Sequence, residues 1–165
     1  TAEETFPRDY AHFVGRSVEE MRAVLRESAR WTPHVGEAVE MLHARGVRVV
    51  VTTDQPDFLA DATRELFGVD ALVCTLADVK HGRVAGAYRY EGDKWANLAR
   101  LLRAWKVEPK DVAHVGNGAN DVPVFRACGY SIAANPMSDA VRAGAVDVIE
   151  RMDDARDAAR MILAQ

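Results

Sequence analysis

The chain has 165 residues, 48% of them hydrophobic, which is the size and make-up of one domain with a core of its own. Its 21 basic and 25 acidic residues give a formal net charge of -4, and the basic residues are spread along the chain, which argues against nucleic acid or an anionic membrane as partner. No apolar run approaches the ~20 residues that span a bilayer, and the opening stretch TAEETFPRDY has no leader-like apolar core. The two cysteines, Cys74 in ALVCTL and Cys128 in FRACGY, read as buried reduced thiols, so the expected compartment is the cytoplasm.

Two helical patterns come first, over Ala2 to Val14 and over Val18 to Ala29, the second with Ser17 as its cap and Glu20 three residues on. After Thr32-Pro33 the texture changes. A helix over Val35 to Ala44, closed by Gly46, leads to a strand over Val47 to Val51. A helix over Phe58 to Phe67 and a strand over Ala71 to Cys74 follow, then a hairpin turning at His81-Gly82 and a long helix from Lys94 to Trp105. Three strand-helix pairs complete the chain: Val112 to Val115 with Val122 to Ala127, Tyr130 to Ala133 with Met137 to Ala143, and Val146 to Ile149 with Asp153 to Leu163. Short apolar strands alternating with helices predict an α/β fold, a three-layer Rossmann-like parallel sheet covered on both faces. The one boundary falls near Trp31. It separates a small helical piece, residues 1–31, from an α/β core, residues 32–165.

In such sheets ligands bind beyond the carboxyl ends of the strands. Three strand ends are suggestive. In VVVTTDQPD, Thr52 and Thr53 follow an apolar strand, where a hydroxyl and backbone N–H groups suit an anion; alternatively Thr52, Thr53 and Asp54 only cap the helix starting near Pro56. In EGDKWANLARLL, Lys94 opens a helix, a place the macrodipole disfavours for a cation. It is either solvated or answered by an anion. In VAHVGNGANDVPVF, Gly116 and Gly118 keep a loop free of bulk, and Asn117, Asn120 and Asp121 offer hard oxygens suited to Mg²⁺; the bland reading is a glycine turn with a capping side chain. The histidines, among them His34, His43, His81 and His114, show no metal spacing and are given no role.

Thr52-Thr53, Lys94 and GNGAND, in that order, resemble motifs II, III and IV of the haloacid dehalogenase superfamily, most closely its phosphoserine-phosphatase-like branch. The resemblance runs from about Trp31 to the C-terminus and makes residues 1–31 the remnant of a helical cap. It implies a Mg²⁺-dependent phosphomonoester hydrolase working through an aspartyl-phosphate on a small phosphorylated metabolite. Thr52 and Lys94 would be catalytic. Thr52, Thr53, Lys94 and Asn120 would bind the phosphoryl group, and Asn117 and Asp121 the metal.

Two departures stand against it. The family's D-x-D-x-T, which supplies the nucleophile on a strand in the middle of the sheet, occurs nowhere in the chain. Without that strand the strands at Val47 to Val51 and Val112 to Val115 would leave backbone groups unpaired, at ~1–3 kcal/mol for each buried one. The expectation is therefore a truncated, processed or split chain, with a second chain or fragment supplying the strand. Asn117 stands where the family usually has an aspartate, which removes one negative charge from the metal site. Both departures also suit a second reading: a catalytically inactive relative that binds a phosphorylated ligand or a protein partner.

Overall fold

The computed structural model describes residues 11–89 and 93–165, which form two compact units. Of the helix expected over Ala2 to Val14, residues 2–10 lie outside the described residues, and Ala11–Phe13 make one 3-10 turn. No helix among the described residues is long and apolar enough to cross a membrane.

The first unit takes its described residues from 11–30 and 50–89. Helix α1 (Val18–Ser28) starts as its sequence requires, with the Ser17 hydroxyl accepting the N–H of Glu20 at 3.3 Å. Strand β1 (Val50–Pro56) passes through helix α3 (Asp57–Phe67) to the parallel strand β2 (Ala71–Lys80), and a tight turn leads to the antiparallel β3 (Arg83–Arg89). At that turn His81 and Gly82 both take positive φ, at 51° and 72°. Phe58, Ala60 and Ala62 bury the inner face of α3, with the Phe13 ring edge-on to Phe58 at 6.4 Å. Arg22 and Arg26 of α1 reach Glu65 of α3 at 2.6 and 3.3 Å.

Two strands run longer than the sequence predicts. β1 starts at Val50 rather than Val47 and continues past Val51 to Pro56, its register with β2 broken between Thr52 and Pro56. Side chains bridge the break: the Thr75 hydroxyl donates to the Asp54 carbonyl at 3.0 Å, and the Asp57 carboxylate accepts the N–H groups of Phe58 and Ala77 at 2.8 and 3.3 Å. β2 extends to Lys80 instead of stopping at Cys74 because it pairs on opposite sides with β1 early and with β3 late.

The second unit takes its described residues from 31–49 and 93–165. It contains helices α2 (Val35–His43), α4 (Lys94–Trp105), α5 (Val122–Ala127), α6 (Asp139–Gly144) and α7 (Ala155–Leu163). Its sheet is parallel, in the order β4 (Ala113–Gly116), β5 (Tyr130–Ala134), β6 (Asp147–Ile149). Every residue of β5 is buried, and alternate side chains serve opposite faces. Tyr130 and Ile132 pack with Ala158 of α7, whereas Ala133 packs with Phe125 of α5 and Val141 of α6. Behind α7, Ala155 and Ala159 close on Ala38 and Leu42 of α2. This is the doubly covered α/β sheet that the alternating pattern predicts.

Among the described residues, β1 pairs only with β2 and β4 only with β5, so each stands at the end of its own sheet.

Gly129, between α5 and β5, has no room for a side chain: a Cβ there would lie 1.8 Å from the carbonyl oxygen of Lys110. Gly129→Ala should therefore displace backbone and destabilise the chain by about 3 kcal/mol, read as a lower urea midpoint at unchanged slope.

Candidate active site

Strand β4 ends at Gly116, and the chain turns through Asn117 and Gly118 into a 3-10 turn, Ala119–Asp121, that opens α5. The turn folds the Asp121 side chain back beneath the strand end, where it is buried, with 3% of its surface exposed. Gly116 is required there. A Cβ at that position would lie 2.4 Å from Asp121 Cγ, well inside contact distance. A Cβ on Gly118 would meet the side-chain oxygen of Asn120 at 2.8 Å, which places Asn120 over the loop. The Asn117 carbonyl accepts the N–H of Met137 at 3.0 Å, tying the loop to the segment after β5.

Helix α4 begins with Asp93 as cap, its carboxylate accepting the Ala96 N–H at 2.7 Å. Leu98 and Leu102 bury the helix face and fix its first turn. Lys94 is consequently buried rather than solvated, and its Nζ donates to Asp121 Oδ1 at 2.7 Å. The counter-anion that a cation at a helix start calls for is thus a carboxylate from the glycine loop.

Asp121 accepts from four donors. Oδ1 takes Lys94 Nζ and, at 3.1 Å, His114 Nε2; Oδ2 takes the N–H groups of Asn117 and Gly118 at 2.9 and 3.0 Å. Burial pushes the carboxyl pKa up, but the bonds from His114, Lys94 and the Gly118 N–H outweigh it and hold the group well below the usual carboxylate range.

Of the residues singled out in the sequence, the structure brings Lys94, Asn117, Asn120 and Asp121 onto one loop and the helix start beside it. Thr52 and Thr53 belong to β1 in the first unit. Thr52 lies opposite Val73 of β2, and the Thr53 hydroxyl accepts the Gln55 N–H at 3.1 Å. The simple capping reading of this stretch does not hold, because β1 runs on to Pro56 and α3 starts at Asp57, whose own carboxylate takes the Phe58 N–H. The sequence assigns His114 no role. Its only signal there is a polar residue inside a short apolar strand, VAHVG.

The oxygens of Asn117 and Asp121 have the chemistry Mg²⁺ favours, but they make only part of a shell. A carboxylate has about four acceptor directions, and those of Asp121 are taken. Asp121 would have to release a donor to ligate directly, and no group of three or more His, Cys, Asp or Glu able to hold a metal is present among the described residues.

A family model for haloacid dehalogenase-like hydrolases matches residues 2–126. A phosphoserine phosphatase of Halobacterium salinarum is 31% identical over 134 residues, covering 78% of this chain and 64% of that protein. One from Albidiferax ferrireducens is 24% identical over 129 residues, covering 72% and 54%. The chain thus spans between half and two thirds of the length of these relatives. In fold, 98% of the chain superimposes on 80% of a phosphoserine phosphatase in its apo form, with a TM-score of 0.79 and 23% identity.

Two outcomes follow from the geometry. Asp121→Asn leaves the Lys94 ammonium buried without its counter-charge and should cost about 3–5 kcal/mol in urea unfolding at pH 7. Because the folded-state pKa of Asp121 is lowered, the stability it contributes is full above the unfolded carboxyl value of about 3.9 and is lost as pH falls through the folded one. The gap between the parent and Asp121→Asn should therefore narrow on acidification below about pH 4. Separately, Asn117→Asp restores a carboxylate to the loop and should tighten Mn²⁺ binding roughly tenfold, read by water-proton relaxation.

Proposed function

The chain belongs to the haloacid dehalogenase-like hydrolases, and from that premise we propose that it is the greater part of a phosphomonoester hydrolase acting on a small phosphorylated metabolite. The observation that carries the reading is the buried Lys94–Asp121 pair at the end of a parallel strand. A lysine ammonium held there by one carboxylate has N–H groups left to meet the charge that gathers around a phosphoryl group in transfer.

In the proposed reaction a carboxylate oxygen of an aspartate attacks phosphorus, the ester oxygen leaves as the alcohol by taking a proton from an acid on the same segment, and water, giving its proton back to that group, then cleaves the aspartyl-phosphate to release inorganic phosphate. The aspartate comes from a segment outside this sequence, since no D-x-D run occurs within it. Among the described residues β1 and β4 each lack a second neighbour, which is the condition under which a further strand adds by main-chain pairing. From the resemblance, Thr52 would donate its hydroxyl to a phosphoryl oxygen and Thr53 its N–H. Lys94 neutralises charge shared between nucleophile and phosphoryl group, and Asn120 steadies the phosphoryl oxygens. Mg²⁺, when bound, neutralises phosphoryl charge. Asn117 would hold it on the loop side, with Asp121 once one of its four donors is released, and the remaining carboxylates would lie on the aspartate-bearing segment. The relatives' names make O-phosphoserine the first substrate to try.

A second reading is favoured by Asn117 and the missing D-x-D: a protein that binds a phosphorylated ligand without turning it over.

The deciding experiment measures phosphate release from O-phosphoserine and p-nitrophenyl phosphate by the protein as isolated from cells, with its intact mass taken alongside. The enzyme reading expects hydrolysis that beryllium fluoride inhibits and that Lys94→Ala lowers by about 10²–10³-fold. Inorganic phosphate bound without turnover, and lost in Lys94→Ala, selects the second reading. Neither hydrolysis nor binding overturns both.

A further inference from the structure

Among the described residues of the second unit, the side chains of Lys94, His114, Asp121 and Ser131 are polar and buried, beside Tyr130, whose hydroxyl donates to Asp147. Ser131 is occupied structurally, its hydroxyl accepting the Val146 N–H at 3.0 Å. Lys94 and Asp121 are accounted for above, which leaves His114.

Its surroundings are specific. A carboxylate only accepts, so the imidazole nitrogen 3.1 Å from Asp121 Oδ1 carries a proton, and contact with Asp121 fixes His114 as an Nε2–H donor. The residue sits in the middle of β4, opposite Ser131 of β5, and its ring lies against Phe125 of α5 with centroids 5.5 Å apart. It is thus held by the sheet. Lys94, by contrast, is a point charge on a flexible four-carbon stem, and Asp121 comes from a loop of glycines.

We infer that His114 is a positioning residue: through the oxygen it shares with Lys94, it transmits the fixed place of the sheet to Asp121 and so to the ammonium. Sharing matters for charge as well as for place. An oxygen that accepts two N–H donors satisfies each less completely than it would one, so Lys94 keeps more of its charge for an incoming phosphoryl group. Without His114 one acceptor direction of Oδ1 stands empty, and the loop amides on Oδ2 alone are left to orient the carboxylate against the ammonium. The inference rests on Lys94 as the cation that faces phosphate.

The test uses the protein as isolated, labelled with ¹⁵N, and the variants His114→Leu and His114→Gln. Leucine keeps the volume and removes the donor; glutamine places an amide N–H near where Nε2 was. In the parent, the imidazole spectrum should report His114 with its proton on Nε2, and the Lys94 ammonium should show as a protected signal. His114→Leu should speed solvent exchange of that ammonium at least about fivefold and lower kcat by about 10- to 100-fold with KM little changed, and His114→Gln should recover most of both. A proton on Nδ1 in the parent, or an unchanged ammonium signal in His114→Leu, overturns the inference. Should the leucine variant not fold, the parent tautomer decides alone. A parent that hydrolyses no phosphate ester sinks the enzyme reading, while the two spectroscopic results still judge His114.

Discussion

One buried carboxylate organises the second unit's site. Asp121 lies in a place where a charge is costly, and it is kept ionised by four donors that come from different parts of the chain: a helix start, a strand and two loop amides. Each donor is thereby fixed in turn. The same carboxylate explains the composition of the loop, because it lies so close to Gly116 that any side chain there would occupy its space. It also explains how a lysine is tolerated, buried, at the first position of α4, where the helix field alone would disfavour it.

That carboxylate is only as well placed as the sheet behind it. β5 is the reference element, with every residue buried and its side chains divided between α7 on one face and α5 and α6 on the other. β4 inherits its register from β5 through consecutive pairs, from Ala113 with Tyr130 to Gly116 with Ala133. The last of these pairs sets where the loop departs. Gly129, pressed against the carbonyl of Lys110, sets where β5 itself begins. Precision at the loop therefore originates in apolar packing some residues away, and the polar groups convert it into the place of an ammonium.

What the sequence disclosed divides along the same line. The helix from Lys94 to Trp105 and the helix from Val122 to Ala127 were legible to the residue, since periodicity and caps are local signals. GNGAND was legible because glycine spacing and an acid sit together in a run of six. The extra length of β1 was not, because it depends on Thr75 and Asp57 making bonds to residues some twenty positions away. His114 was hidden for a related reason. One histidine in a four-residue strand has no period, and its meaning comes from a carboxylate that the loop returns to it seven residues later.

The charge of the cluster carries the argument one step further. Lys94 and Asp121 cancel, and Asn117 adds an oxygen but no charge. The buried pair therefore presents no surplus of negative charge to a divalent cation and only the uncancelled N–H groups of one ammonium to an anion, while the Asp93 carboxylate is engaged as the cap of α4. In the proposed reaction both ligands would be drawn by what is added, since an aspartate-bearing strand brings the nucleophile and the carboxylate charge together. Binding of the metal and gain of the nucleophile then become one event.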